Sequence, residues 1–61
     1  MPLEPGWRKA TRLLWSAAGD IEEARDQISM DRDTENESAL SALLLELERI
    51  TDRIEEKGVK G

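Results

Sequence analysis

Large apolar side chains recur every seventh residue in two separate runs: Trp7, Leu14, Ile21 and Ile28, then Leu40, Leu47 and Ile54. A seven-residue spacing keeps a side chain on one stripe of an α-helix and never on one face of a strand. Two such runs predict two amphipathic helices. With these residues at heptad position a, Ala10, Ala17 and Ala24 occupy every d of the first run, and Leu13 (g) and Ala18 (e) widen the stripe. In the second run Leu43 and Ile50 occupy d, with Leu44 (e) and Ala39 (g) beside them. Ala39–Ile54 is the most apolar stretch of the chain and the one the first helix is expected to cover.

The boundaries follow from local chemistry. Residues 1–6 hold both prolines, Pro2 and Pro5, and form an irregular arm, with Pro5 suited to a first helical turn. The first helix is expected over 7–30, with Gly19 at an outward f position. The polar run Asp31-Arg32-Asp33 makes the loop, 31–33. Thr34 followed by Glu37 has the spacing of a capping box, with Asp33 as a competing N-cap, and opens a second helix over 34–57. Gly58 is read as a left-handed residue that stops the helix after Lys57. Val59 would then fold back onto Ile54, leaving 58–61 as a frayed tail.

Paired antiparallel, the a and d columns match as Ala24–Leu40, Ile21–Leu43, Ala17–Leu47, Leu14–Ile50 and Ala10–Ile54. Their constant summed number centres the turn on residue 32, inside the loop chosen from polarity. Trp7 would lie over the stem of Lys57, and Ile28 would meet Asn36. The expected fold is all-α, an antiparallel two-helix hairpin.

A hairpin has a seam but no closed core. At 61 residues a core supplies only ~3–5 kcal/mol. Cysteine and histidine are both absent, so disulfides and the usual zinc or haem ligands are excluded. Self-association is the remaining compensation. The expected assembly is a homodimeric four-helix bundle with an interface of Trp7, Ala10, Leu14, Ala17, Ile21, Ala24 and Ile28 on one helix. The other helix contributes Leu40, Leu43, Leu44, Leu47, Ile50 and Ile54. The alternative is a hairpin docked on another protein. Nothing in the pattern shows how two hairpins would be oriented.

This organisation resembles the Rop type of plasmid RNA-binding regulator: a chain of about this size, a helical hairpin, an antiparallel dimer, and alanine alternating with large residues along the seam. The likeness covers Trp7–Lys57 as pattern. No diagnostic residue string matches, so no functional residue is carried across.

Chemistry is sparse. General acid–base or nucleophilic work would fall to Asp, Glu, Ser, Thr or Lys. The carboxylates, such as Glu22-Glu23 and Glu55-Glu56, lie at outer helix positions and read as solvated faces. No enzyme activity, cofactor or metal is expected. Fourteen acidic against nine basic residues give a formal charge of −5, which argues against broad nucleic-acid binding. No apolar run is long enough to span a membrane, and the first residues lack an apolar signal core, so the expected location is cytoplasmic.

One local feature departs from this. Residues 1–15 hold Arg8, Lys9 and Arg12 against the single acid Glu4, at a helix N-terminus where the dipole disfavours cations. Arg8, Arg12 and Trp15 fall at b, f and b, an outer stripe that the seam does not need. With Lys9 they form a candidate partner surface, for an acidic protein or for structured RNA by stacking and phosphate contact. The plainer reading stacks Arg12 on Trp15 as surface cover. Leu45, at f, is an isolated surface leucine. The leading expectation is a non-catalytic, self-associating hairpin that regulates or scaffolds a protein partner through its outer face. The alternative is a structured-RNA-binding regulator that uses the basic, aromatic end of the first helix. A membrane-surface role for Leu3–Trp15 is opposed by the acidic remainder.

Overall fold

The computed structural model describes residues 3–61; Met1 and Pro2 of the expected arm lie outside the described residues. Leu3–Pro5 is non-helical and leads into α1, Gly6–Met30; a short turn then leads into α2, Thr34–Lys60. The two helices pack antiparallel along their length, so the all-α hairpin is confirmed. The Cα extents are 48 × 21 × 9 Å, and the 9 Å dimension is a single layer of helices. No helix of the described residues is long and apolar enough to cross a membrane.

α1 starts without a side-chain cap. Pro5 is extended, and its carbonyl accepts from the backbone N–H groups of Arg8 and Lys9. The helix ends in a Schellman motif. Arg32 takes the left-handed conformation (φ 60°), its N–H donates to the Ser29 carbonyl at 3.0 Å, and the Asp33 N–H donates to the Ile28 carbonyl at 3.3 Å. A left-handed stop thus ends α1 at Arg32, where none was expected, with a side chain that pays the Cβ penalty glycine avoids.

Asp33, and not Thr34, caps α2. Its Oδ1 accepts from the Asn36 backbone N–H at 3.2 Å, and its Oδ2 accepts from the Asn36 side-chain amide at 2.6 Å. A carboxylate one residue upstream with two donors outcompetes a single hydroxyl, and its charge suits the positive helix end. Thr34 is the first helical residue instead.

The other end of α2 also departs from expectation. Helix continues through Gly58 and Val59 to Lys60, and no glycine has positive φ. Gly58 is selected by packing. A Cβ built there would collide with the Trp7 indole at Cγ and Cδ2 and stand 2.7 Å from Cε2. Trp7 thus sits over Gly58, one residue beyond the Lys57 stem expected to receive it. Val59 is exposed and does not fold back on Ile54.

That one-residue shift runs through the hairpin. The inward column of α1 is Trp7, Thr11, Leu14, Ala18, Ile21, Arg25 and Ile28, all buried or half-buried. In α2 it is Glu37, Leu40, Leu44, Leu47, Thr51, Ile54 and Gly58. Anchored on Trp7 and Gly58, these columns come level as Thr11 with Ile54, Leu14 with Thr51, Ala18 with Leu47 and Ile21 with Leu44. The turn centre falls between Arg32 and Asp33. The hairpin seam is therefore built from a and e, not from a and d. Ala10 and Ala17 are left half-buried at its margin and Ala24 exposed, while Leu43 and Ile50 lie 50% and 36% exposed.

The physical reason lies in α2. α1 is small in both columns, Ala10 and Ala17 in d and Thr11 and Ala18 in e, but in α2 the e residues Thr51 and Gly58 are smaller than the d residues Ile50 and Lys57 and let the helix axes approach. Both threonines satisfy their own hydroxyls by donating to helix carbonyls, Thr11 to Arg8 at 2.9 Å and Thr51 to Leu47 at 2.7 Å. Burial therefore leaves neither hydroxyl unpaired. Among the described residues only Thr11, Ala18, Leu44 and Thr51 are buried, Thr51 completely.

Candidate interaction surfaces

About 100° of rotation per residue places d on one side of column a and e on the other. Since the seam uses a and e, the d and g columns point to one broad face. Reversing one helix mirrors its wheel, so like heptad letters of α1 and α2 share a side of the hairpin. One face therefore carries Ala10, Leu13, Ala17 and Ala24 from α1, with Ala39, Leu43 and Ile50 from α2. Leu13 is 58% exposed there, and the column-a residues Leu14, Ile21, Ile28, Leu40, Leu47 and Ile54 reach it half-buried. This is the expected interface set brought onto one surface, less Trp7 and Leu44, which the hairpin seam itself uses.

The opposite face carries columns b and f. Here a shallow groove of about 560 Å³ opens between the helices near the chain ends. α1 contributes Trp7, Arg8, Thr11, Arg12 and Trp15; α2 contributes Glu55 and Val59; Glu4 of the arm forms a lip. Three of the four expected partner-surface residues, Arg8, Arg12 and Trp15, thus meet in one place. Lys9 falls at c on the outer edge of α1 and does not line the groove.

The electrostatics differ from the sequence reading. Arg12 is held by Glu4 through a two-pronged pair, with Nη1 and Nη2 each 3.0 Å from a carboxylate oxygen. This takes the place of the expected stacking of Arg12 on Trp15. Arg8 lies over the Trp7 indole, with its guanidinium carbon 5.5 Å from the ring centroid. Trp15 remains 45% exposed. The groove is therefore an aromatic floor and wall with two arginines and two glutamates. Glu55 and Val59 were not legible as groove residues, because they lie 40 or more positions away in the chain and meet α1 only once the hairpin closes. The pairing of Glu4 with Arg12 had a signal in the sequence: it is the one acid among the three bases of that end.

Glu22, Glu23, Glu55 and Glu56 are all exposed, and Glu56 accepts from Lys60 at 3.0 Å. Among the described residues no three carboxylates converge as a metal-holding group would. Leu45 is exposed on the b and f face, apart from the groove residues.

Compared with known proteins, the chain matches no family model, no curated protein and no solved structure.

Proposed function

We propose that this protein is a non-catalytic, acidic interaction module of the cytoplasm. It self-associates through its d and g face into a homodimeric four-helix bundle, and it regulates or scaffolds a protein partner through the outer groove. One observation carries the reading: a single 9 Å layer of helices presents Leu13, Leu43 and Ile50 together on one face, 58%, 50% and 36% exposed. An apolar strip of this length on so small a chain is an association surface. Closing it on a second hairpin puts columns a and d of all four helices into one core. The groove stays outside, on the opposite face of each hairpin, with its half-exposed tryptophan and arginines of the kind enriched at protein interfaces.

Sedimentation equilibrium across a concentration series, with circular dichroism on the same samples, tests this. The expected result is a helical dimer that dissociates on dilution. A poorly helical monomer at high micromolar concentration would refute self-association and leave the apolar face to another protein.

The RNA-binding alternative draws support from Arg8, Arg12 and Trp15 sharing one groove. Against it stand the Glu4 carboxylate on Arg12 and Glu55 on the facing wall, which repel phosphate. Salt-dependent RNA binding lost on Arg8→Glu with Arg12→Glu, at unchanged helicity, would raise it above the first reading.

A further inference from the structure

The apolar face has a charged rim made by columns g and c, and its charges are sorted along the hairpin. Near the chain ends the rim carries Lys9, Arg49, Arg53 and Lys60. The one acid there, Glu56, is already paired with Lys60 at 3.0 Å. Toward the loop the rim carries Asp20, Glu23, Glu35 and Glu46, with no base. All nine of these side chains are exposed. The sorting is invisible in the linear sequence, where the two halves of each rim interleave with inward residues and run in opposite directions. It emerges when Trp7 is set over Gly58 and the helices are brought level.

We propose that a second copy of this chain covers the face with its loop over the first copy's chain ends, and that these rim charges set the orientation. The proposal rests on the self-association reading above and adds the arrangement and the residues that specify it. The rim charges alone carry the orientation. With loops at opposite ends, a twofold axis crosses the hairpins near Ala17 and Leu47. α1 then lies on α1 and α2 on α2 of the other copy. Glu46 comes level with Arg49 of the second copy, Glu35 with Lys60, and Lys9 approaches Glu23, each contact occurring twice by symmetry. With loops at the same end, α1 faces α2 of the other copy. Asp20 would then stand level with Glu46, and Lys9, level with a Glu56 that Lys60 already holds, would lie beside Arg53. Opposed like charges penalise that arrangement and steer the encounter away from it. The Cα outline on this side, 48 by 21 Å with rim and arm included, is on the order of 1,000 Å², so a second copy must cover most of it to reach the ~800 Å² per partner of a standard stable interface.

The absence of cysteine allows one spin label per chain, at Asp31→Cys beside the loop. Electron–electron double resonance on the labelled dimer should give a separation of ~40 Å, from ~13 residues either side of the axis at 1.5 Å each. Labels within ~20 Å of each other, in a sample that sediments as a dimer, would overturn the orientation and leave self-association standing. A monomer at high micromolar concentration would overturn both.

A charge exchange gives an independent readout. Arg49→Glu alone should weaken the dimer about fivefold, because it creates two Glu–Glu contacts across the axis. Adding Glu46→Arg should restore the dissociation constant, since the exchanged pair is again complementary. Failure of the second change to restore affinity, at unchanged helicity, would refute the assigned contacts.

Discussion

Replacing Gly58 by alanine should destabilise this protein, although alanine is the better helix former. The substitution lies inside α2, where Gly to Ala ordinarily gains up to about 1 kcal/mol. Here the added methyl would occupy the space of the Trp7 ring, meeting its core atoms and not a flexible tip. Trp7 must swing away or the helix ends must separate, an overpacking cost of about 1–3 kcal/mol. The net expectation is a loss of about 1 kcal/mol, which for a chain of this size lowers Tm by roughly 4–8 °C. Gly19 supplies the control. It is also mid-helix, but a Cβ there meets nothing within 4 Å, so Gly19→Ala should stabilise by about 1 kcal/mol. Urea unfolding followed by circular dichroism, at one fixed chain concentration, measures both. In a Trp7→Ala background the penalty at Gly58 should vanish and only the propensity gain remain. If the two glycine variants shift stability equally, within about 0.5 kcal/mol, then Trp7 does not rest on Gly58 and the a and e register is wrong.

Three further outcomes follow from the same geometry. Arg32→Gly should stabilise by about 1 kcal/mol, because it relieves a left-handed side chain at the Schellman position; thermal unfolding at constant concentration reads it. Asp33→Ala should cost about 1 kcal/mol in the same assay, and Thr34→Ala much less, since the aspartate is the residue that receives the Asn36 N–H. Equal losses would return the cap to Thr34. Leu43→Lys with Ile50→Lys removes the two large residues that α2 presents on the open face. It should weaken self-association by at least ~100-fold in sedimentation, since each chain loses two apolar side chains worth ~1.5–3 kcal/mol when buried. Unchanged dimerisation would place the interface elsewhere.

The sequence by itself determined the two helices, the loop between them and the antiparallel hairpin. Each is a local matter: seven-residue spacing admits only a helical stripe, the run Asp31-Arg32-Asp33 interrupts it, and so short a connection forces the chain back on itself. The sequence also marked Arg8, Arg12 and Trp15 as surplus to the seam, and the groove gathers all three. Which columns close the seam was decided only in three dimensions. Columns d and e flank a on opposite sides, and both contain residues able to pack. Periodicity cannot rank them, because the preference lies in how closely two backbones approach. α1 is small in both columns, so α2 decides: Thr51 and Gly58 admit the closer approach, and Leu43 and Ile50 turn outward. The meaning of Gly58 was settled in the same way. A glycine near a helix end reads locally as a stop, but an indole more than 50 residues earlier in the chain holds the space its side chain would fill. The left-handed residue of this fold lies instead at the end of α1, at Arg32, where it closes the three-residue turn and a side chain bears the cost.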